Sequence, residues 1–166
     1  MSLENSAGLG VLNSYGPRTT NGKYGGAGVD ELIQVAVWDF TYNDLPDGSS
    51  TDSLGISQVI PANSTIVDAR MIVDTAFTST ATTTDLTVGL NRATDGSTAI
   101  DADGLLTAVN AESAVIVVPG KLITGTGALV GTLSDATYDG VLVVASSAAD
   151  LLTGAGRIIV RYILNS

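Results

Sequence analysis

Carboxylates are the side chains with which this chain could do chemistry. Seventeen Asp and Glu stand against seven Lys and Arg in 166 residues, and neither His nor Cys occurs. Without cysteine there are no disulfides, thiolate nucleophiles or zinc–sulfur sites. Without histidine the commonest general base and transition-metal ligand are missing, so a Ser-His-Asp triad is excluded. Two-carboxylate glycan hydrolysis would be the remaining reaction class. Most of the acids, however, sit in turn dipeptides or on polar strand faces. The aromatic platforms that sugar sites use reduce to Trp38, Tyr42 and Tyr138. Asp101-Ala102-Asp103-Gly104 begins like a calcium loop and would place Glu112 at the twelfth position, but Leu105 and Leu106 follow where oxygen ligands are needed. Asn63-Ser64-Thr65 is a glycosylation sequon, a pattern frequent by chance. Gly25-Gly26 and Gly125-Thr126-Gly127 lack the strand-to-helix setting of a phosphate cradle. No catalytic motif, metal site or cofactor is expected.

The elements that carry these residues fall into two parts. Residues 1–29 are rich in Gly, Asn, Ser and Thr and show no sustained apolar period. They hold Arg18 and Lys23 against Glu4, a sum of 2 − 1 = +1. Residues 30–166 hold five cations and sixteen acids, a sum of 5 − 16 = −11, and the two parts recover the total of −10. Pro17 and the glycines disfavour a helix and make any single conformation entropically costly. Yet the segment carries two of the five tyrosines and two of the seven cations, which is unusual for an inert linker and suits docking. The first part is expected to be an extended binding arm and the second one folded domain.

Hydrophobic residues make up 45% of the chain and charged residues only 14%, and the apolar side chains are mostly small or β-branched. That composition suits pleated sheet. No apolar run approaches the roughly 20 residues of a membrane span, and no basic segment followed by an apolar one marks a signal peptide. A pI near 4.1 with scattered cations argues against nucleic acid as a partner.

Alternation predicts strands over Leu32–Phe40, Ile66–Phe77, Leu86–Leu90, Val115–Val118, Lys121–Thr124, Leu129–Leu133, Val141–Ala145 and Arg157–Leu164. In Ile66–Phe77 the odd positions Val67, Ala69, Met71, Val73, Thr75 and Phe77 form one face, with Asp68, Arg70 and Asp74 on the other. In the last strand Ile158, Val160, Tyr162 and Leu164 face in, while Arg157 and Arg161 face out and would pair with Asp68 and Asp74 if the strands are neighbours. Four Asp-Gly dipeptides, at Asp47, Asp95, Asp103 and Asp139, predict tight turns. Asp101–Asn110 is the one helical candidate, with Leu105, Leu106 and Val109 as its stripe. The long connections Tyr42–Ser57 and Arg92–Ser113 are expected to cross between sheets. The result is an all-β, jelly-roll-like antiparallel sandwich with one short helix and an extended N-terminal arm.

Several segments together resemble small virion proteins of tailed bacteriophages. They are Tyr15-Gly16-Pro17-Arg18, Lys23-Tyr24-Gly25-Gly26 leading into Leu32–Phe40, the stretch from Pro61-Ala62-Asn63-Ser64-Thr65-Ile66 through Phe77, Asp85-Leu86-Thr87-Val88-Gly89, Asp101-Ala102-Asp103-Gly104-Leu105-Leu106, and the ending Gly154–Ile163. The chain is similar to the capsid decoration (cement) proteins of such phages. That resemblance implies a location on the outer capsid surface of the virion and assembly as a homodimer or homotrimer. It also implies an arm that contacts the major capsid protein through Tyr15, Pro17, Arg18, Lys23 and Tyr24. The alternative is a head-fibre or tail-appendage module that binds host surface carbohydrate.

Overall fold

The computed structural model describes residues 33–45, 51–53, 59–81, 84–110, 118–147 and 151–165. Among the described residues there are eight strands: β1 (Ile33–Thr41), β2 (Thr51–Ser53), β3 (Ser64–Ser79), β4 (Asp85–Arg92), β5 (Ala99–Asn110), β6 (Leu122–Thr124), β7 (Gly140–Ser146) and β8 (Leu151–Leu164). They form two four-stranded sheets, ordered β1-β8-β3-β6 and β2-β7-β4-β5. β3 pairs antiparallel with β8 and β6, and β4 pairs antiparallel with β5 and β7. First and last strands are thus neighbours, and the chain passes between sheets at every connection except β4–β5. Two interleaved Greek keys of this kind make the jelly roll expected from the sequence.

The core lies between the sheets. β1 contributes Ala36, Trp38 and Phe40, β4 Leu86, Val88 and Leu90, β7 Leu142 and Val144, and β8 Ile158 and Val160. Strict alternation on β4, β7 and β8 delivers these residues to one face.

β3 departs from strict alternation. Register shifts against β8 fall between Ile66 and Asp68, between Val73 and Thr75, and between Thr75 and Thr78. Each bulge opposes extra residues of β3 to β8 and resets which face follows. The inward set becomes Ile66, Ala69, Met71, Val73 and Phe77, while Val67 and Thr75 turn outward, contrary to the odd-numbered face read from the sequence. Leu164 is likewise 51% exposed instead of facing in.

The expected helix over Asp101–Asn110 is strand β5. A two-turn helix is marginal in water on its own, whereas this segment gains a full partner in β4. Leu105 and Leu106 are both buried although adjacent. The reason is a wide irregularity: Val88 pairs with Leu106 while Leu90 pairs with Asp101, so several β5 residues stand opposite Gly89. The expected strand Leu129–Leu133 is instead a series of turns with a single bridge from Leu133 to Thr65. Residues 115–117 of another expected strand lie outside the described residues. β8 starts at Leu151, six residues before the expected Arg157. Of the Asp-Gly pairs, Asp95-Gly96 is a tight turn with Gly96 at φ 69°, but Asp103-Gly104 lies inside β5 and Asp139-Gly140 opens β7. Asp47 lies outside the described residues.

Gly125-Thr126-Gly127 has a packing role. Gly125 N–H donates to Ala69 of β3 (2.7 Å), and Leu129 N–H donates to Gly104 of β5 (2.8 Å), so this segment ties the two sheets together along one side. A Cβ on Gly127 would overlap the carbonyl carbon of Gly104. Only glycine permits so close a backbone approach.

Candidate functional site

The residues expected to contact a capsid, Tyr15, Pro17, Arg18, Lys23 and Tyr24, lie outside the described residues, as does the whole of the expected arm. The described chain opens at Ile33 in β1, an outermost strand of its sheet.

The surface that β1 borders is the outer face of sheet β1-β8-β3-β6, and its charged residues form a cross-strand ladder. Arg157 of β8 donates through Nε to Asp74 Oδ2 (2.9 Å) and through Nη2 to Asp74 Oδ1 (2.8 Å), a two-pronged contact. That hydrogen bonding lowers the Asp74 pKa and raises that of Arg157, which Asp39 of β1 also favours as a cation. One rung along, Arg161 Nη1 donates to Asp68 Oδ2 at 3.2 Å, and Arg70 lies 3.4 Å from the same carboxylate. The pairing anticipated between these cations and acids exists because β3 and β8 are neighbours, with Asp68 in register with Arg161. Asp74 reaches Arg157 by a route no alternation rule supplies, since it is the extra residue of a bulge. Aliphatic side chains lie between the rungs: Ile72 is in register with both Leu122 and Arg157, and Arg70 with Ile159.

The opposite kind of surface occurs at the end of the sandwich where β4 leads to β5 and the chain enters β7. There, carboxylates hold turns instead of pairing with cations. Asp95 accepts hydrogen bonds from Thr98 N–H (2.8 Å), Thr98 Oγ1–H (2.7 Å) and Ser97 N–H (2.9 Å), which together lower its pKa to about 2. Asp135 accepts from Thr137 N–H (2.7 Å) and Tyr138 N–H (2.8 Å), and those bonds lower its pKa as well. Asp139 Oδ1 accepts from Ala62 N–H at 2.7 Å. Asn63, the sequon asparagine, sits at φ 57° and donates through Nδ2 to the Asn165 carbonyl at 3.1 Å. Its conformation and bonding make it a turn residue. Asp95 and Asp135 make Asx-type turns, in which the acid serves its own backbone, whereas Asp139 and Asn63 tie their turns to segments distant in sequence.

None of the three aromatic candidates forms an open stacking platform. Trp38 is 2% exposed. Tyr42 packs against the core. One face of the Tyr138 ring is covered by the Arg92 guanidinium, 3.9 Å from its centroid. Among the described residues no group of three or more carboxylates gathers as a metal site. Asp101 and Asp103 do approach each other, with Asp103 N–H donating to Asp101 Oδ1 at 3.4 Å, and burial together with the second carboxyl raises the Asp101 pKa. They lie along strand β5 and not in a calcium-type loop.

The chain matches no protein-family model and no curated protein sequence. Its fold does recur in solved structures. A chain in the capsid of Ralstonia phage GP4 aligns with a TM-score of 0.57 and 23% identity, over 81% of this chain and 85% of that one. A chain in the Cyanophage Pam1 capsid asymmetric unit aligns with a TM-score of 0.51 and 14% identity, over 80% and 85% respectively. The jelly roll assembled here from strand order and register is thus a fold shared with chains of two phage capsids.

Proposed function

We propose that this protein is a structural component of a tailed-phage virion that sits on the outer surface of the assembled capsid and bridges major capsid protein subunits. In this reading residues 1–29 form the gripping arm and residues 30–166 the body. The observation that carries it is the alignment, over about four fifths of both partners, with a chain of a phage capsid. Charge and composition support the same reading, since Tyr15, Arg18 and Tyr24 are residue types that interfaces favour, Lys23 adds a second cation, and an acidic body shuns nucleic acid.

The mechanism is linkage. A ligand that binds only the assembled shell stabilises it by RT ln(1 + [L]/Kd), about 2.7 kcal/mol per site at a hundredfold excess over Kd. A segment that orders on binding surrenders part of that energy as entropy. Linking several arms through an oligomer recovers affinity by effective concentration. The reading of a fibre or tail module binding host carbohydrate has less support, because Trp38 is buried and Tyr138 is already covered by Arg92.

The test is co-sedimentation with capsids that lack this protein. The full chain is expected to saturate the shell and raise its disruption temperature. A chain starting at Asp30 is expected to fold yet leave the shell bare. Unchanged occupancy after truncation would overturn the arm, and no occupancy by the full chain would overturn the virion role.

A further inference from the structure

We propose that β8 is a late-docking strand: the rest of the sandwich forms around an open slot between β1 and β3, and β8 then enters and closes it. The slot is a binding site for one kind of extended peptide, and the chain carries that peptide itself. The inference stands on topology, charge and shape within the folded body and does not depend on the capsid reading.

Topology sets the order. β8 lies inside its sheet, between β1 and β3, although its β3 partners come far earlier in the chain, Leu164 pairing with Ser64. Closing so long a loop is slow compared with pairing nearby segments. The other sheet, β2-β7-β4-β5, is complete by Ser146. β3 is held from its far side by residues 120–134. Ser134 N–H donates to the Ser64 carbonyl (2.7 Å), Gly131 N–H to Ile66 (2.8 Å), Gly125 N–H to Ala69 (2.7 Å) and Gly120 N–H to Val73 (2.7 Å). β3 therefore has backbone partners before β8 arrives.

Charge and shape fit strand to slot. Residues 151–164 contain Arg157 and Arg161 and no acid, in a chain with net charge −10. On β3, Asp74 takes Arg157 at 2.8 Å and Asp68 takes Arg161 at 3.2 Å, while Asp39 on β1 favours the Arg157 cation. Arg70 lies on the same side of β3, 3.4 Å from Asp68. Opposite charges draw the strand in, and the cross-strand pairs fix its register. On the inner side, Phe40 of β1 and Phe77 of β3 meet across β8 and stack with centroids 5.7 Å apart. Bare backbone passes beneath them. A Cβ on Gly154 would overlap the Phe77 ring, and one on Gly156 would lie 3.2 Å from Phe40 Cε1 and 2.9 Å from the Ile72 carbonyl oxygen. Beyond β8, Asn165 latches the end: its N–H donates to the Asn63 carbonyl (3.1 Å) and its Nδ2 to Thr65 Oγ1 (2.9 Å).

Two measurements on the full chain test this. In the first, wild-type protein refolds from urea under pulsed hydrogen exchange read by mass spectrometry. Amides of β4 and β7 are expected to gain protection about fivefold faster than those of β8. Protection of all three strands in one step would overturn the proposal. In the second, a protease site is inserted after Ser147, the full chain is folded, and the connection to β8 is then cut. The cut protein is expected to hold its strand and, in mild urea, to exchange it for a labelled peptide of residues 151–166. A peptide carrying Gly154→Ala and Gly156→Ala is expected to compete roughly tenfold less well. One carrying Arg157→Gln and Arg161→Gln is expected to compete about threefold less well at low salt. That deficit is expected to shrink at about 1 M salt, where charges are screened beyond roughly 3 Å. Loss of the strand on cutting, no uptake of labelled peptide, or uptake indifferent to the two glycines would each sink the late-docking strand.

Discussion

Replacing Gly154 with alanine tests whether the bulged pairing of β3 and β8 determines how the core is filled. Gly154 has φ +141°, a conformation that residues with a Cβ adopt only at a cost of roughly 1–3 kcal/mol. It also faces the bulge where Thr75 pairs with Ala155 and Thr78 with Thr153, which leaves Ala76 and Phe77 opposite this one residue. Phe77 uses the extra length to turn its ring inward over the bare glycine. A Cβ on Gly154 would overlap the ring at Cδ1 and lie 2.7 Å from Cγ. The ring has little room to retreat, because Phe77 is fully buried and stacked on Phe40 with centroids 5.7 Å apart. Overpacking of this sort costs about 1–3 kcal/mol. Adding the backbone contribution gives a loss of roughly 4 kcal/mol, within a span of about 2–6. For a domain of this size that lowers Tm by roughly 8–16 °C. Calorimetry and urea unfolding would measure it. Repeating the substitution in a Phe77→Leu background separates the two contributions, since a smaller side chain removes the overlap and leaves about 1–3 kcal/mol of backbone strain. A loss below about 0.5 kcal/mol, or the same loss in both backgrounds, would refute this account of the bulge.

Gly127→Ala is expected to cost about 3 kcal/mol, because its Cβ meets backbone at Gly104 that no rotamer change can move; urea unfolding measures it, and a neutral result would mean the sheets are not tied there. Stability is expected to fall as pH drops from about 4 towards 2. Asp95, at about 2, and Asp135 and Asp74, also lowered, each contribute stability above the carboxylate's ordinary value and lose it through their folded values. Asp101, raised by burial, acts in the opposite sense. Asp95→Asn is expected to flatten the acid limb of a Tm-against-pH curve; an unaltered limb would remove that carboxylate from the account. Asp68→Ala takes the shared acceptor from Arg70 and Arg161 and is expected to cost about 1 kcal/mol, discounted for partly exposed arginines. Tyr138→Ala is expected to cost about 0.5–1 kcal/mol through loss of the Arg92 contact, while capsid occupancy stays unchanged; a glycan-array signal that disappears in this variant would instead promote the carbohydrate reading.

What alternation in the sequence reveals, and what it hides, divides along one physical line. β1 and β4 are legible because each keeps a period of two over its core-facing residues, and β7 because it is a short unbroken apolar run after a turn signal. β3 is legible as a strand but not in its facing, because bulges beside Val67, Asp74 and Phe77 are set by pairing with β8 and leave no local mark. β5 is misread because two adjacent leucines and an Asp-rich start imitate a capped helix, whereas its conformation is decided by β4, far from the window in which propensity acts. The glycines carried a signal of a different kind. Gly125, Gly127 and Gly154 stand where another chain segment passes too close for a Cβ, and close approach is as much a reason for glycine as a turn is. The Arg and Asp residues of β3 and β8 were visible as outward charges, but their pairing into one ladder depends on sheet order, which no single strand encodes.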